Sequence, residues 1–187
     1  MDKEEWFKIR TNRHIGLVRK YTNRVAKLEL PGVDRILLLK EGKEHDSTKF
    51  NEPEYTPYLE ITWRYREARH GRDYEVSKEI ESDMLKATFH HITHNKHHPE
   101  YWSNAMISCL NSENRDKPAK IVDATGMPLT YIAAMMADWL AMSEEKNSSI
   151  DGWIKMNVGI RWEFSKEAVS LIHEIVSLVE VDALLCK

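Results

Sequence analysis

Cysteine is nearly missing from this chain of 187 residues, which has two, Cys109 and Cys186. They have neither the spacing of a metal knuckle nor the number that a disulfide-stapled domain needs, so a reducing, cytoplasmic setting is expected. Long apolar runs are lacking too. No stretch approaches the roughly 20 residues that cross a bilayer. The opening MDKEEWFKIR is charged where a secretory leader would be apolar. No membrane partner is therefore expected. Neither sign of charge dominates: a formal net charge of −3 supplies no field that would draw the chain to nucleic acid. Internal repeats and low-complexity tracts are absent. What the chain does have is a 42% hydrophobic composition with six tryptophans, enough to build a core in one domain spanning 1–187 without staples.

The apolar pattern is helical almost throughout. His14, Leu17, Val18, Tyr21, Val25 and Leu28 form one stripe on a helix expected from Glu4 to Glu29, closed by Pro31-Gly32. RILLLK starts a second helix that runs toward Gly42. Thr56-Pro57 reads as cap and first position of a third, ending at Arg69 before the turn HGRD. A fourth is expected from Glu75 to Lys96, because Pro99 disfavours helical geometry in the residue before it. Asn111 to Pro118 is polar and reads as a loop, as does KNSSIDG. PLTYIAAMMADWLAMSEE restarts a helix that is apolar on nearly every side. GWIKMNVGIRWEF reads as a short strand or an irregular packing segment. The last 21-residue pattern, SKEAVSLIHEIVSLVEVDALL, is amphipathic. Its stripe of Val169, Ile172, Ile175, Val176, Val179 and Leu184 either completes the core or pairs with a second copy. The expected class is an all-α fold of about six or seven helices.

Five of the nine histidines fall within FHHITHNKHHPEYW. At about 100° per residue, His90, His91, His94 and His97 share one helix face with Asp83, opposite Met84, Leu85, Thr88, Phe89 and Ile92. Histidine is the commonest metal ligand. His94 and His97, one turn apart, are candidates to bind one ion, while Pro99 frees His98 to turn inward. Four further residues acquire meaning only together. His14 lies on an apolar stripe, where a lone histidine is ordinarily a hydrogen-bonded core residue. The adjacent His45 and Asp46 converge only at a helix end or kink, for which Gly42 offers freedom. Asp138 sits among Ile132, Met135, Met136, Trp139, Leu140 and Met142, where a carboxylate needs a cation, strong donors or a proton. Tyr55, Tyr58, Tyr101 and Trp102 suit stacking on a base or simple core packing, with Trp102 assigned to the core. Arg64, Arg66, Arg69 and Arg72 alternate with acids and read as a solvated face.

In chain order, His14, His45-Asp46, His94 with His97-His98, and Asp138 resemble the HD-domain superfamily of metal-dependent phosphohydrolases, all-α bundles in which such residues bind one or two metals. HDSTK is similar to that family's His-Asp-x-x-Lys pattern, and HHPE to a His-His-x-Glu element, from which the proline departs. The longer string HDSTKF…HNKHHPEYW…ADW also resembles an uncharacterised family of small bacterial and phage proteins. The resemblance covers about 10–143; 144–187, a loop and an amphipathic helix, carries none of it. It implies that His14, His45, Asp46 and Asp138 hold a first divalent ion (Mn, Mg, Zn, Fe or Co). Asp46 would bridge to a second ion on His94 and on His97 or His98, with His90 or His91 orienting ligands. Asp46, Lys49 and Glu100 would serve catalysis, in hydrolysis of a small nucleotide or other phosphate ester by a hydroxide generated at the metal. The same ligand order suits an HD-type di-iron oxygenase, and a third reading is a non-catalytic metal- or nucleotide-binding module.

Overall fold

The computed structural model describes residues 1–103 and 120–185 of the chain. Cys109, Cys186 and the loop expected from Asn111 to Pro118 lie outside the described residues. Seven α-helices are found among the described residues: α1 (Lys3–Ala26), α2 (Arg35–Glu44), α3 (Tyr55–Arg69), α4 (Lys78–His94), α5 (Leu129–Lys146), α6 (Ile150–Asn157) and α7 (Lys166–Leu185). The only strands among these residues are β1 (Val122–Asp123) and β2 (Trp162–Glu163), a parallel pair. The fold is an all-α bundle. None of these helices is long and apolar enough to cross a membrane.

Helix starts follow side-chain chemistry. Asp2, Asp34, Ser77 and Ser149 each accept a backbone N–H of the first turn that follows, at 2.8, 3.0, 3.3 and 3.2 Å; such a cap contributes about 1 kcal/mol. Ser149 explains why KNSSIDG is not all loop. It starts α6, whose Ile150 and Ile154, one turn apart, are buried in the core. GWIKMNVGIRWEF therefore divides into the end of α6 and the strand β2. Helix α3 begins at Tyr55, ahead of the expected Thr56-Pro57 start, and Pro57 sits in its first turn, where a missing N–H costs nothing.

Helix α5 is the centre. From Thr130 to Ala141 every residue is buried except Asp138, because α1, α2 and α7 all pack around it. Ala133, Ala134, Ala137 and Ala141 supply the small side chains that let neighbouring helices approach closely. His14, Ile15, Val18, Tyr21 and Val25 form the buried stripe of α1. Leu171, Ile172, Ile175, Val176 and Val179 of α7 are buried in the same core.

Gly42 is required by contact rather than by flexibility. A Cβ placed there would lie 2.6 Å from Thr22 Cγ2 and Oγ1 and 2.8 Å from Thr22 Cβ, so no rotamer of Thr22 relieves the clash. Gly42→Ala should cost about 1–3 kcal/mol by pushing α2 off α1, and Thr22→Gly should restore most of that loss. Denaturant melts of the single and double variants measure both; an unchanged midpoint in Gly42→Ala would contradict the close approach.

Candidate metal centre

Four pieces of chain deliver the chemistry. His14 comes from α1, and His45 ends α2. Asp46 follows in the left-handed region, φ 56° and ψ 16°, which Asp tolerates better than most residues. That one residue reverses the chain, so the neighbouring side chains His45 and Asp46 converge as they could not within a helix. A 3₁₀ turn, Ser47–Phe50, then brings Lys49 back to pair with Asp46 Oδ2. Asp138 arrives from α5.

His14 Nε2 lies 3.1 Å from Asp138 Oδ1, 3.4 Å from His45 Nε2 and 3.8 Å from Asp46 Oδ2. His45 Nε2 lies 3.5 Å from Asp46 Oδ2 and 3.7 Å from Asp138 Oδ1. Two imidazole nitrogens and two carboxylate oxygens thus face one point. Donors held at about 2.1 Å from a single ion at tetrahedral angles stand about 3.4 Å apart. Asp46 Oδ1 and Asp138 Oδ1 are buried and accept no hydrogen bond from the protein, a costly arrangement that a bound cation would offset. The donor set fits a divalent ion.

The other face of Asp46 is occupied by more histidines. Its Oδ1 lies 3.2 Å from His91 Nε2 and 3.8 Å from His97 Nε2. Donor atoms of His91, His97 and His98 lie within 4.8 Å of one another, so a second ion has a second set of nitrogens. Glu54, fully buried, receives the Nδ1–H of His91 at 2.8 Å and that of His90 at 2.7 Å. That bond leaves His91 Nε2 as the lone-pair nitrogen aimed at Asp46, the usual way a carboxylate orients a ligating imidazole.

Electrostatics match the geometry. Burial opposes charge on His14, but the carboxylates of Asp138 and Glu145 outweigh it and raise its pKa to about 9. Burial pushes His45 down, and burial with the nearby His45 ring pushes His97 well down. Although burial opposes it, the surroundings of His45, Lys49 and His91 hold Asp46 far below the usual carboxylate range. Asp138 is likewise held low, against its burial, by His14 and His45. Two carboxylates therefore stay ionised and His45 and His97 stay neutral, the states in which both types bind cations, whereas His14, held protonated by its carboxylates, would give up its proton on binding one.

The centre opens into a cavity of about 320 Å³, lined by His14, Asp46, Lys49, Tyr58, His91, His97, His98 and Asp138. Trp139, Met142, Lys146, Trp153, Arg161 and Trp162 line it as well.

Two sequence expectations need correction. His94 does not join the cluster: it is exposed, stacks on His90 at 3.9 Å and donates its Nδ1–H to the His90 carbonyl at 2.8 Å. The cause is the early end of α4. Asn95 leaves helical geometry (φ −109°, ψ 113°) and its amide caps the His91 carbonyl at 2.8 Å, so His97 and His98 leave the helix and fold back toward His45. Both of them, rather than one, reach the centre, and His91 takes the place expected for His94. Glu100 does not line the cavity either. It is buried, accepting from Trp162 Nε1 at 3.1 Å and facing Arg161 at 3.5 Å, which makes it the counter-ion of a buried guanidinium.

Sequence reasoning also missed Arg161 and Trp162 in the cavity lining. The signal was present in GIRWEF, an arginine between apolar residues with a tryptophan beside it. Arg161 packs over the Trp162 ring at 4.2 Å, and β1 holds this strand in place through Val122 N–H to the Arg161 carbonyl at 2.9 Å. Of the arginines expected on a solvated face, Arg69 and Arg72 are exposed and Arg64 and Arg66 half-buried: Arg64 pairs with Glu81 at 2.7 Å, and Arg66 and Arg72 with the buried Glu67. Trp102 packs against the core and donates to the Lys96 carbonyl at 2.9 Å.

A family model matches residues 3–178. The chain belongs to DUF5662, a family of unknown function. No curated protein and no solved structure matches it. The DUF5662 match runs well beyond residue 143, where the sequence motifs stop, and takes in the cavity wall built by Trp153, Arg161 and Trp162 along with every histidine and aspartate of the centre.

Proposed function

We propose that this DUF5662 chain is a metal-dependent phosphohydrolase of the HD type, acting on a small nucleotide or other phosphate ester. The observation that carries this reading is the four-residue donor set, His14, His45, Asp46 and Asp138, with its 3.1–3.8 Å spacing, buried at the end of a cavity that also exposes Lys49. One ion would be held by those four residues and a second by Asp46, His91, His97 and His98. Imidazole-rich donors favour Mn, Fe, Co or Zn over Mg, which prefers oxygen. Such ions supply Lewis acidity and a water that ionises near neutral pH.

The chain's own groups do the rest. Lys49, its ammonium kept charged by Asp46 despite burial, neutralises a nonbridging phosphate oxygen. Glu54 keeps His91 turned toward Asp46, and Glu145 places a carboxylate 3.4 Å from His14 Nδ1. The Tyr58, Trp139 and Trp162 walls limit solvent around the reacting phosphorus. In the reaction water adds to phosphorus, the bond to the ester oxygen breaks, and a proton passes to the departing oxygen. An anionic substrate is favoured by Lys49 and Arg161 on the cavity wall.

The test is phosphate release from a panel of nucleotides and simple esters, with oxygen uptake recorded in parallel, after loading with Mn, Fe, Co or Zn. Metal-dependent phosphate release without oxygen uptake is expected. Oxygen uptake with no phosphate release would replace this reading with the di-iron oxygenase. Metal binding with neither activity would replace it with the non-catalytic module.

A further inference from the structure

Beyond the reacting end, the cavity follows one face of α5. Asp138, Trp139, Met142, Ser143 and Lys146 all line it, at helical spacing. Asp138 and Lys146 are eight positions apart, which is about 12 Å along the axis. The chemistry changes along that length, from the ionised centre, through indole and thioether surfaces, to an ammonium.

Two donors in this lining have no partner in the described chain. Trp153 lines the cavity, and its indole Nε1 is buried without a hydrogen-bond partner. Lys146 makes no ion pair among the described residues, because the adjacent acids are committed elsewhere: Glu144 to Lys20 at 2.6 Å, Glu145 to His14 at 3.4 Å. The buried indole N–H calls for an acceptor from outside the chain, and the exposed Lys146 ammonium on the same cavity lining is free to pair with it if it is anionic. Trp139, edge-on to Trp153 at 6.1 Å and stacked on Trp162 at 5.5 Å, supplies a rigid aromatic surface between that acceptor and the centre.

We propose that Trp153 and Lys146 form a second subsite, which takes the leaving group of the substrate: a flat apolar body carrying an anionic hydrogen-bond acceptor at its far end. That the group so held is a leaving group rests on the hydrolase reading; the subsite itself does not. It selects substrates whose reacting phosphate and distal anion are separated by an aromatic-sized spacer, and the paired donors discriminate against uncharged tails.

Calorimetric titration of the full chain with phenylphosphonate and 4-carboxyphenylphosphonate tests the subsite without turnover. The carboxylated probe should bind about two- to fivefold more tightly, as a charge-assisted contact at an exposed lysine allows. Lys146→Ala should remove that preference and leave phenylphosphonate binding unchanged; Trp153→Phe, which keeps the ring and deletes the N–H, should remove part of it. Equal affinities in the parent protein, equal weakening of both probes by Lys146→Ala, or binding of neither probe would overturn the subsite. Absence of phosphate release from the matching aryl phosphates, with the binding preference intact, would overturn the hydrolase alone.

Discussion

Asp46→Ala is expected to reduce bound metal to background and to lower phosphate release by about three orders of magnitude, since the charge stabilisation a metal provides amounts to several kcal/mol. The Asp46 carboxylate is shared between the two donor sets. Its Oδ2 faces His14 and His45 while its Oδ1 faces His91 and His97, so one truncation removes a donor from both sets. Alanine also strains a backbone held at φ 56°, a penalty of about 1–2 kcal/mol unrelated to the metal. Asp46→Asn separates the two effects. Asparagine tolerates the left-handed region, so this variant should melt close to the parent protein, yet it should still lose metal because the anionic donor is gone. His94→Ala is the matching control, with unchanged metal content and a stability shift within about 0.5 kcal/mol for an exposed side chain. Metal analysis of the three purified variants decides the matter. Full metal retention in Asp46→Asn, or metal loss in His94→Ala, would sink the assignment of the centre.

Trp162→Ala should produce the largest loss of stability. Truncating a buried aromatic costs about 3–5 kcal/mol, and Trp162 is 2% exposed between Trp139 and the Arg161 guanidinium. The same change removes the indole N–H from Glu100 and leaves that carboxylate to Arg161. At about 2–4 °C per kcal/mol for a domain of this size, the melting temperature should fall by roughly 10 °C. Trp162→Phe retains most of the packing and loses only the hydrogen bond, so its cost should be about 1–2 kcal/mol. Thermal melts followed by circular dichroism give both values. A Trp162→Ala protein as stable as the parent would mean that the C-terminal strand does not support the core.

The histidine crowding in FHHITHNKHHPEYW was a sound pointer to the centre, and the reason it misassigned single residues is local. A helical wheel places His94 beside His97 only if the helix continues past residue 94. Asn95 ends it by hydrogen-bonding its side chain to the His91 carbonyl, and asparagine's competition with the backbone is the property that a smooth periodicity ignores. His91 was legible as a polar residue on a shared face but not as a donor, because its orientation depends on Glu54, 37 positions away. The dipeptide His45-Asp46 illustrates the opposite case. Its convergence needs a break at that point, and the break comes from the left-handed Asp46 itself, while Gly42 serves the contact with Thr22.

By itself, the sequence determined the helical class and the central place of α5, since periodicity and uninterrupted apolar character are local properties that packing had no cause to override. It also determined which residue types were available to a cation: His14, His45, Asp46 and Asp138 could be named without coordinates. Tertiary structure alone decided which imidazoles join them, that Glu100 turns away to balance Arg161, and that the C-terminal segment walls the cavity. Those outcomes depend on pairs of groups far apart in the chain, whose encounter is set by how helices end and cross rather than by any pattern along one of them.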